Sequence, residues 1–253
     1  MRTELNLPHT ITVKLRAAVG ALAVAIALPA ATAAAQDPPP SPSPGGFGYA
    51  EPTPDPASPT VFADGSTLAA PVGDLLGDVV SVHGTVAGAH PGDTVQLERL
   101  DPVNGWVAVA TATVAADGSF DAAWTPAAAG PTKLRAVPAS DSGAARTATT
   151  SADPDGRDFT VFRPVRATWY GPGFYGKRTA CGQRLTSRLL GVAHRTLPCG
   201  TLVRLFNNGR TVTVPVVDRG PFAHGAGYDL TAATARALGV TATTRIGAVR
   251  ATS

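Results

Sequence analysis

Short apolar segments separated by turn residues constrain the fold of this chain more than any other feature of its sequence. Between residues 61 and 163 they recur every 8–12 residues or so, alternate apolar with polar side chains, and meet at turn signals such as Asp117-Gly118. This pattern predicts an immunoglobulin-like β-sandwich over residues 61–163. No cluster of catalytic residue types falls in it, so we expect a spacer or binding module. The segments are VVSVHGTVAG, DTVQLERL, WVAVATATVAADGSFDAAW, TKLRAVPA and DFTVFRPV.

The last part of the chain, residues 165–253, predicts a second all-β domain with one short helix. Two alternating strands flank Asn208-Gly209, a dipeptide typical of two-residue hairpin turns. The segment LTAATARALGV predicts a helix that begins after Thr231 as N-cap and ends at Gly239. The segment TRIGAVRAT predicts a closing strand. About ninety residues of this kind favour a small closed barrel, so the whole chain is expected to be all-β.

Charge is divided unevenly along the 253 residues. Residues 36–164 carry fifteen acidic and six basic side chains, whereas residues 165–253 carry two acidic and twelve basic ones. A basic domain binds anionic polymers, which include nucleic acid, acidic membrane surfaces and acidic wall glycopolymers.

The N-terminus favours the wall polymer among these partners. Basic residues precede an apolar run that ends in small residues before Gln36, as in a secretory signal peptide spanning residues 1–35. A retained membrane anchor is the alternative. Residues 36–60 are proline-rich and predict a linker. We therefore expect a secreted, soluble cell-wall protein that is a monomer, with no stable membrane span after cleavage and no nucleic acid partner.

The two cysteines, Cys181 and Cys199, are expected to form a disulfide in an exported protein. Closing a loop of about 18 residues stabilises a small barrel by ~3 kcal/mol. The alternatives are two buried thiols or a mixed site with His194, but a metal site needs three or four ligands. No metal and no cofactor are expected.

Asp218 and Asp229 are the two acidic side chains of the basic domain. Asp218 ends an apolar strand, which predicts a charge at the mouth of the barrel. Asp229 lies just before the predicted helix. Each has a structural alternative: Asp218 could form a salt bridge with Arg219 or another arginine, and Asp229 could cap the helix or fix a loop.

Gln183 and His194 flank the cysteine pair in sequence, so a disulfide would bring them together. For His194 a functional role and a structural hydrogen-bonding role both remain open.

Four ordered stretches resemble the rare lipoprotein A-like septal-ring lytic transglycosylases: ATWYGPGFYGKRTACGQRL, GVAHRTLPCGTLVRL, VVDRGPF and YDLTAATARALGV. The resemblance covers residues 166–250 and looks most like actinobacterial members with a cysteine pair. It implies a six-stranded double-psi β-barrel, the fold shared with expansins.

The resemblance also implies roles for individual residues. Asp218 matches the aspartate regarded as the acid/base, His194 the cleft histidine, and Asp229 the aspartate across the cleft. Gln183 stands where active members carry glutamate, and an amide cannot transfer a proton. This departure puts activity in doubt.

Two functions follow as expectations. The first is cleavage of the MurNAc–GlcNAc bond of peptidoglycan without water, giving 1,6-anhydro products. The second is expansin-like binding that loosens the wall without cleavage. The partner in both is a peptidoglycan glycan strand or another anionic wall polymer. Tyr170, Tyr175 and Arg219 are candidate substrate-binding residues, and Trp169, Phe174 and Tyr228 could either stack on sugars or fill the barrel core.

Overall fold

The computed structural model describes residues 58–141 and 156–251, and they are mostly β-structure. The predicted signal peptide and nearly all of the predicted linker lie outside these residues. Within them no helix is long and apolar enough to cross a membrane.

Residues 58–141 form two sheets with the first part of the long strand β9. Strands β1, β2, β4 and β7 make one sheet in that order. The other sheet has the order β6, β5, β8, β9, and β3 pairs with β9 in parallel. The bounds are β1 (Thr60–Val61), β2 (Thr67–Ala69), β3 (Gly73–Leu75), β4 (Val80–Thr85), β5 (Thr94–Asp101), β6 (Gly105–Thr113), β7 (Ser119–Trp124), β8 (Gly130–Pro138), a 3-10 turn (Ala139–Asp141) and β9 (Arg157–Tyr170).

The predicted strands are present in these two sheets, and one hydrophobic core lies between them. The apolar positions of β4, β5, β7 and β9 supply that core, which includes Phe120, Trp124 and Phe159. The alternating burial along β4 and β7 follows from the period of two in their sequence. The immunoglobulin-like type of this arrangement stays a prediction.

The second half of β9 belongs to a closed barrel of six strands. The ring runs β9, β13, β10, β12, β11 and β14, and β14 pairs with β9 again. The predicted double-psi β-barrel with one short helix is confirmed in its strand number, its closure and its helix. The bounds are β10 (Val192–Ala193), β11 (Leu202–Asn207), β12 (Arg210–Asp218), β13 (Tyr228–Thr231), α1 (Ala232–Leu238) and β14 (Thr244–Arg250).

Local chemistry fixes the barrel elements as the sequence predicted. Asn208 and Gly209 have φ of 48° and 77°, so the hairpin between β11 and β12 has the left-handed turn these residues favour. The hydroxyl of Thr231 caps α1, and Gly239 ends it with φ of 69°. The disulfide between Cys181 and Cys199 is present, with 5.7 Å between the Cα atoms.

Strand β9 continues without a break through Pro164, where the sequence suggested a change of domain. Its residues 157–161 pair with β8, and residues 163–167 pair with β14. Phe162 stacks on Phe206 of β11 with 5.0 Å between the ring centroids, and Val72 joins this small core. The sheet of the first part therefore continues into the barrel wall.

Candidate functional site

Asp218 and Asp229 lie on the outer face of the barrel wall, two strands apart. Ala193 in β10 pairs with Asp218 of β12 on one side and with Asp229 of β13 on the other. Asp229 pairs in turn with Thr168 of β9. Because register partners point to the same face of a sheet, both carboxylates and the Thr168 side chain share one surface. The neighbouring residues Val192, which precedes Ala193, and Leu230, which follows Asp229, point the other way and belong to the barrel core.

Asp218 is held by three hydrogen-bond donors. The backbone N–H groups of Ala180 and Arg219 each donate to Oδ1 at 2.8 Å, and the hydroxyl of Tyr170 donates to Oδ2 at 3.2 Å. Tyr170 is half-buried, and burial together with the negative charge of Asp218 raises its pKa. The phenol therefore stays protonated and keeps donating.

Asp229 has a different environment. Its Oδ1 accepts one hydrogen bond, from the Thr168 hydroxyl at 2.8 Å. Burial raises the pKa of Asp229 above its usual value; the Thr168 hydrogen bond lowers it, and the charge of Asp218 raises it further. Burial is thus the largest influence on the Asp229 carboxyl group, and it disfavours the charged form.

Two of the structural alternatives, the helix cap for Asp229 and the ion pair for Asp218, do not occur in the described residues. The side chain that caps α1 is Thr231, whose hydroxyl accepts from the N–H of Thr234, so Asp229 is not the helix cap. Among the ion pairs of the described residues none includes Asp218. Arg219 donates instead to the carbonyl oxygens of Leu197 and His194 at 3.0 and 3.3 Å, and to the Cys199 sulfur at 3.3 Å.

His194 is held in the loop after β10 rather than against the carboxylates. Its Nδ1 accepts from the N–H groups of Thr196 at 3.2 Å and Leu197 at 3.0 Å, so the neutral ring carries its proton on Nε2. Burial lowers the pKa of His194, as do the charges of Arg195 and Arg219. Within the described residues the ring makes no hydrogen bond to either aspartate, and it packs on Tyr228 at 4.9 Å between centroids.

Gln183 lies in a turn that borders Asp218. Its Oε1 accepts from the Thr179 hydroxyl at 3.1 Å, and its carbonyl accepts from the Thr179 N–H at 2.8 Å. The same turn supplies the N–H of Ala180 to Asp218, and the N–H of Cys181 donates to Val217 at 3.3 Å. The Gln183 side chain is exposed and makes no described contact with either carboxylate.

The aromatic candidates divide between surface and core. Trp169, Phe174 and Tyr175 are 39%, 52% and 41% exposed, whereas Tyr228 is 9% exposed and belongs to the core. Phe174 meets Tyr170 edge to face with 6.4 Å between centroids.

The sequence interpretation missed Thr168 and Phe222. Phe222 follows the Gly220-Pro221 turn and is 89% exposed, an unusual position for a large apolar side chain. The RGP turn that precedes Phe222 is a sequence pattern from which this position could have been predicted. The contact of Thr168 with Asp229 depends on strand register, and no pattern near either residue predicts it. No group of three or more histidine, cysteine or acidic side chains in the described ranges is arranged to hold a metal ion.

Comparisons with known proteins match the barrel. Residues 164–251 match the family described as "Lytic transglycolase". The protein named "Probable endolytic peptidoglycan transglycosylase RlpA" of Synechocystis is 54% identical over 76 residues, which are 29% of this chain and 24% of that protein. The "Endolytic peptidoglycan transglycosylase RlpA" of Campylobacter jejuni is 48% identical over 66 residues, 25% of this chain and 24% of that one. This chain therefore spans about a quarter of the length of these relatives.

One solved structure, the Streptomyces papain inhibitor, is similar at 27% identity and a TM-score of 0.27, covering 34% of this chain and 92% of that one. The match of residues 164–251 to the lytic transglycolase family agrees with the closed six-stranded ring and the disulfide. Residues 164–251 of this chain form a double-psi β-barrel that is similar to the RlpA-like lytic transglycosylases.

Proposed function

We propose that this protein cleaves the MurNAc–GlcNAc bond of peptidoglycan by intramolecular transglycosylation, with Asp229 as the acid that then acts as the base. The observation that carries the proposal is the unequal environment of two carboxyl groups on one face. Asp229 is partly buried, and this burial raises its pKa, while Asp218 accepts three hydrogen bonds. The sequence resemblance had given Asp218 the acid/base role, and this proposal exchanges the two.

The proposed reaction needs one proton donor near the scissile bond. Protonated Asp229 gives its proton to the oxygen that links C1 of MurNAc to GlcNAc, and the C1–O bond breaks. The resulting carboxylate takes the proton of the MurNAc 6-hydroxyl as O6 bonds to C1. The proton balance closes and no water is consumed. A single carboxyl group serves both steps, unlike hydrolysis, which uses two.

Asp218 has a separate part in this scheme. Its fixed carboxylate would stabilise the positive charge that develops at C1 in the transition state. Tyr170 would hold Asp218 in position through the phenol hydrogen bond. Thr168 would do the same for Asp229.

Other predicted site residues receive positioning roles. Arg219 and the Nδ1 atom of His194 bind backbone groups of residues 194–197, so we propose that they shape the loop after β10. Tyr175, Phe174 and Phe222 offer exposed rings on which sugars could stack.

The site of action follows from the same proposal. Peptidoglycan lies outside the cytoplasm, and the disulfide fits an oxidising compartment. We propose a secreted, wall-associated protein in which the sandwich predicted for residues 61–163 is a spacer or glycan-binding module.

A second candidate, non-catalytic binding of the wall, is favoured by Gln183. An amide at the position of the family glutamate cannot take part in proton transfer. Incubating the purified protein with peptidoglycan and analysing the soluble products by mass spectrometry separates the two functions. Anhydro-muropeptides support cleavage. Binding without any product, together with product in Gln183→Glu, supports the expansin-like function.

A further inference from the structure

Two arginines face each other on the same outer surface that carries the aspartates. Arg166 of β9 and Arg245 of β14 are register partners, and both side chains are exposed. Like charges in directly opposed positions of an antiparallel pair destabilise a sheet. A pair of this kind therefore carries a cost to the fold unless an anion lies between the two side chains.

Nothing in the described residues neutralises this pair. Neither guanidinium has an ion pair or a hydrogen bond within residues 58–141 and 156–251. Asp218 and Asp229 are the only acidic side chains in residues 165–253.

A groove lies beside the two guanidinium groups. It is a shallow, open groove of about 510 Å³, lined by Pro164, Val165, Arg166, Thr243, Thr244 and Arg245. The Arg166 side chain also lies near Gly225, where an added Cβ would be 3.7 Å from Nη1, so the loop before β13 borders the groove.

The pair is close to the proposed acid. Arg166 and Thr168 are two residues apart on β9, so their side chains share a face at a spacing of about 7 Å. Thr168 in turn donates to Asp229. A chain held at the arginines thus continues along β9 toward Asp229.

We propose that Arg166 and Arg245 form a binding site for a carboxylate or phosphate group carried by the polymer that occupies the outer face. Guanidinium groups bind both anions through paired hydrogen bonds, and two side by side match one such group. The choice of a wall polymer as the carrier rests on the proposed function, whereas the anion site itself rests on the arginine pair and the groove.

The test compares two double variants that lose the same charge. Arg166→Gln/Arg245→Gln removes the pair, and Arg188→Gln/Arg210→Gln removes two exposed arginines elsewhere. Binding of each purified protein to insoluble wall sacculi is measured by sedimentation over a range of salt concentrations. We expect the pair variant to bind about tenfold more weakly than the control variant, since charge-assisted hydrogen bonds of this strength are lost. Melting temperatures check that both variants are folded.

A second arm identifies the source of the anion. Sacculi treated with hydrofluoric acid lose their phosphodiester-linked polymers but keep the carboxylates of their stem peptides. If the difference between the variants disappears on treated sacculi, the site binds phosphate; if it persists, the site binds carboxylate. Equal binding of the two variants on both preparations overturns the proposal. Because this readout is binding, it is independent of whether the natural protein releases anhydro products.

Discussion

Asp218 and Asp229 flank a single residue, Ala193, which is the register partner of both. Strands lie about 4.8 Å apart, so the two aspartate backbones are roughly 10 Å apart across β10. Ala193, which lies between them, is itself only 2% exposed. Asp218 is bound by backbone and phenol donors, while Asp229 depends on one hydroxyl.

The hydroxyl of Thr168 is expected to set the pH range of the reaction. Its hydrogen bond lowers the pKa of Asp229, against the effects of burial and of Asp218. The acid must be protonated, so the rate falls as pH rises through this pKa. In Thr168→Val the alkaline limb of the pH–rate profile should move to higher pH. The plateau rate should drop several-fold, because the Asp229 carboxyl group loses the hydrogen bond that holds it in position. The matched control is Thr213→Val on β12, and an alkaline limb that stays in place in Thr168→Val would contradict the assignment.

Removing the charge of Asp229 is expected to stabilise the protein near neutral pH. When folding raises the pKa of an acid, the folded state becomes less stable as the pH rises from the pKa of the group in the unfolded chain to its pKa in the folded protein. For Asp229 the unfolded pKa is 3.8. Asp229→Asn should therefore melt at a higher temperature than the natural protein at pH 7. The difference should shrink as the pH falls below 3.8. A lower melting temperature at pH 7, with the fold intact at pH 3, would argue against a raised pKa of Asp229.

Tyr170 is expected to support the reaction rather than binding. Tyr170→Phe keeps the ring but removes the donor to Asp218, so kcat should fall about tenfold while KM changes little. Tyr175→Phe is the control, because Tyr175 lies in the same segment and has no described hydrogen bond to either aspartate. Steady-state kinetics on soluble glycan chains would measure both constants. An equal loss in the two variants, or a change confined to KM, would count against the role given to the Tyr170 phenol.

The disulfide is expected to support both the fold and the site. It joins the turn that donates the Ala180 N–H to Asp218 with the loop that Arg219 holds. Replacing both cysteines with serine should lower the free energy of unfolding by ~3 kcal/mol, the value for a loop of this length. The rate should fall further than glycan binding does, because Asp218 loses a fixed donor. Chemical denaturation and product analysis measure the two effects, and an unchanged rate would show that the turn keeps its place without the bond.

Much of the barrel follows from local sequence. The hairpin at Asn208-Gly209, the helix between Thr231 and Gly239 and the disulfide all have short-range signals, and all are present. Asp218 was expected to end an apolar strand, and β12 ends at that residue.

The arrangement of the site depends on pairing between distant strands. Strand β10 has only two residues, and no pattern in them reveals that Ala193 lies between both aspartates. Thr168 and Asp229 are 61 residues apart, so their hydrogen bond exists only once the ring has closed. Strand β9 likewise runs through Pro164, the predicted domain boundary, and pairs Pro164 with Gly247 of β14, a pairing that no local pattern reveals.

The central claim is that Asp229 is the proton donor that makes an anhydro product. The most direct measurement is mass spectrometry of the material released from peptidoglycan by the natural protein and by Asp229→Asn at equal amounts of bound protein. The account predicts anhydro-muropeptides with the natural protein and a loss of about 10²–10⁴-fold in Asp229→Asn, the usual contribution of a general acid. Anhydro product released by Asp229→Asn at the natural rate would contradict it.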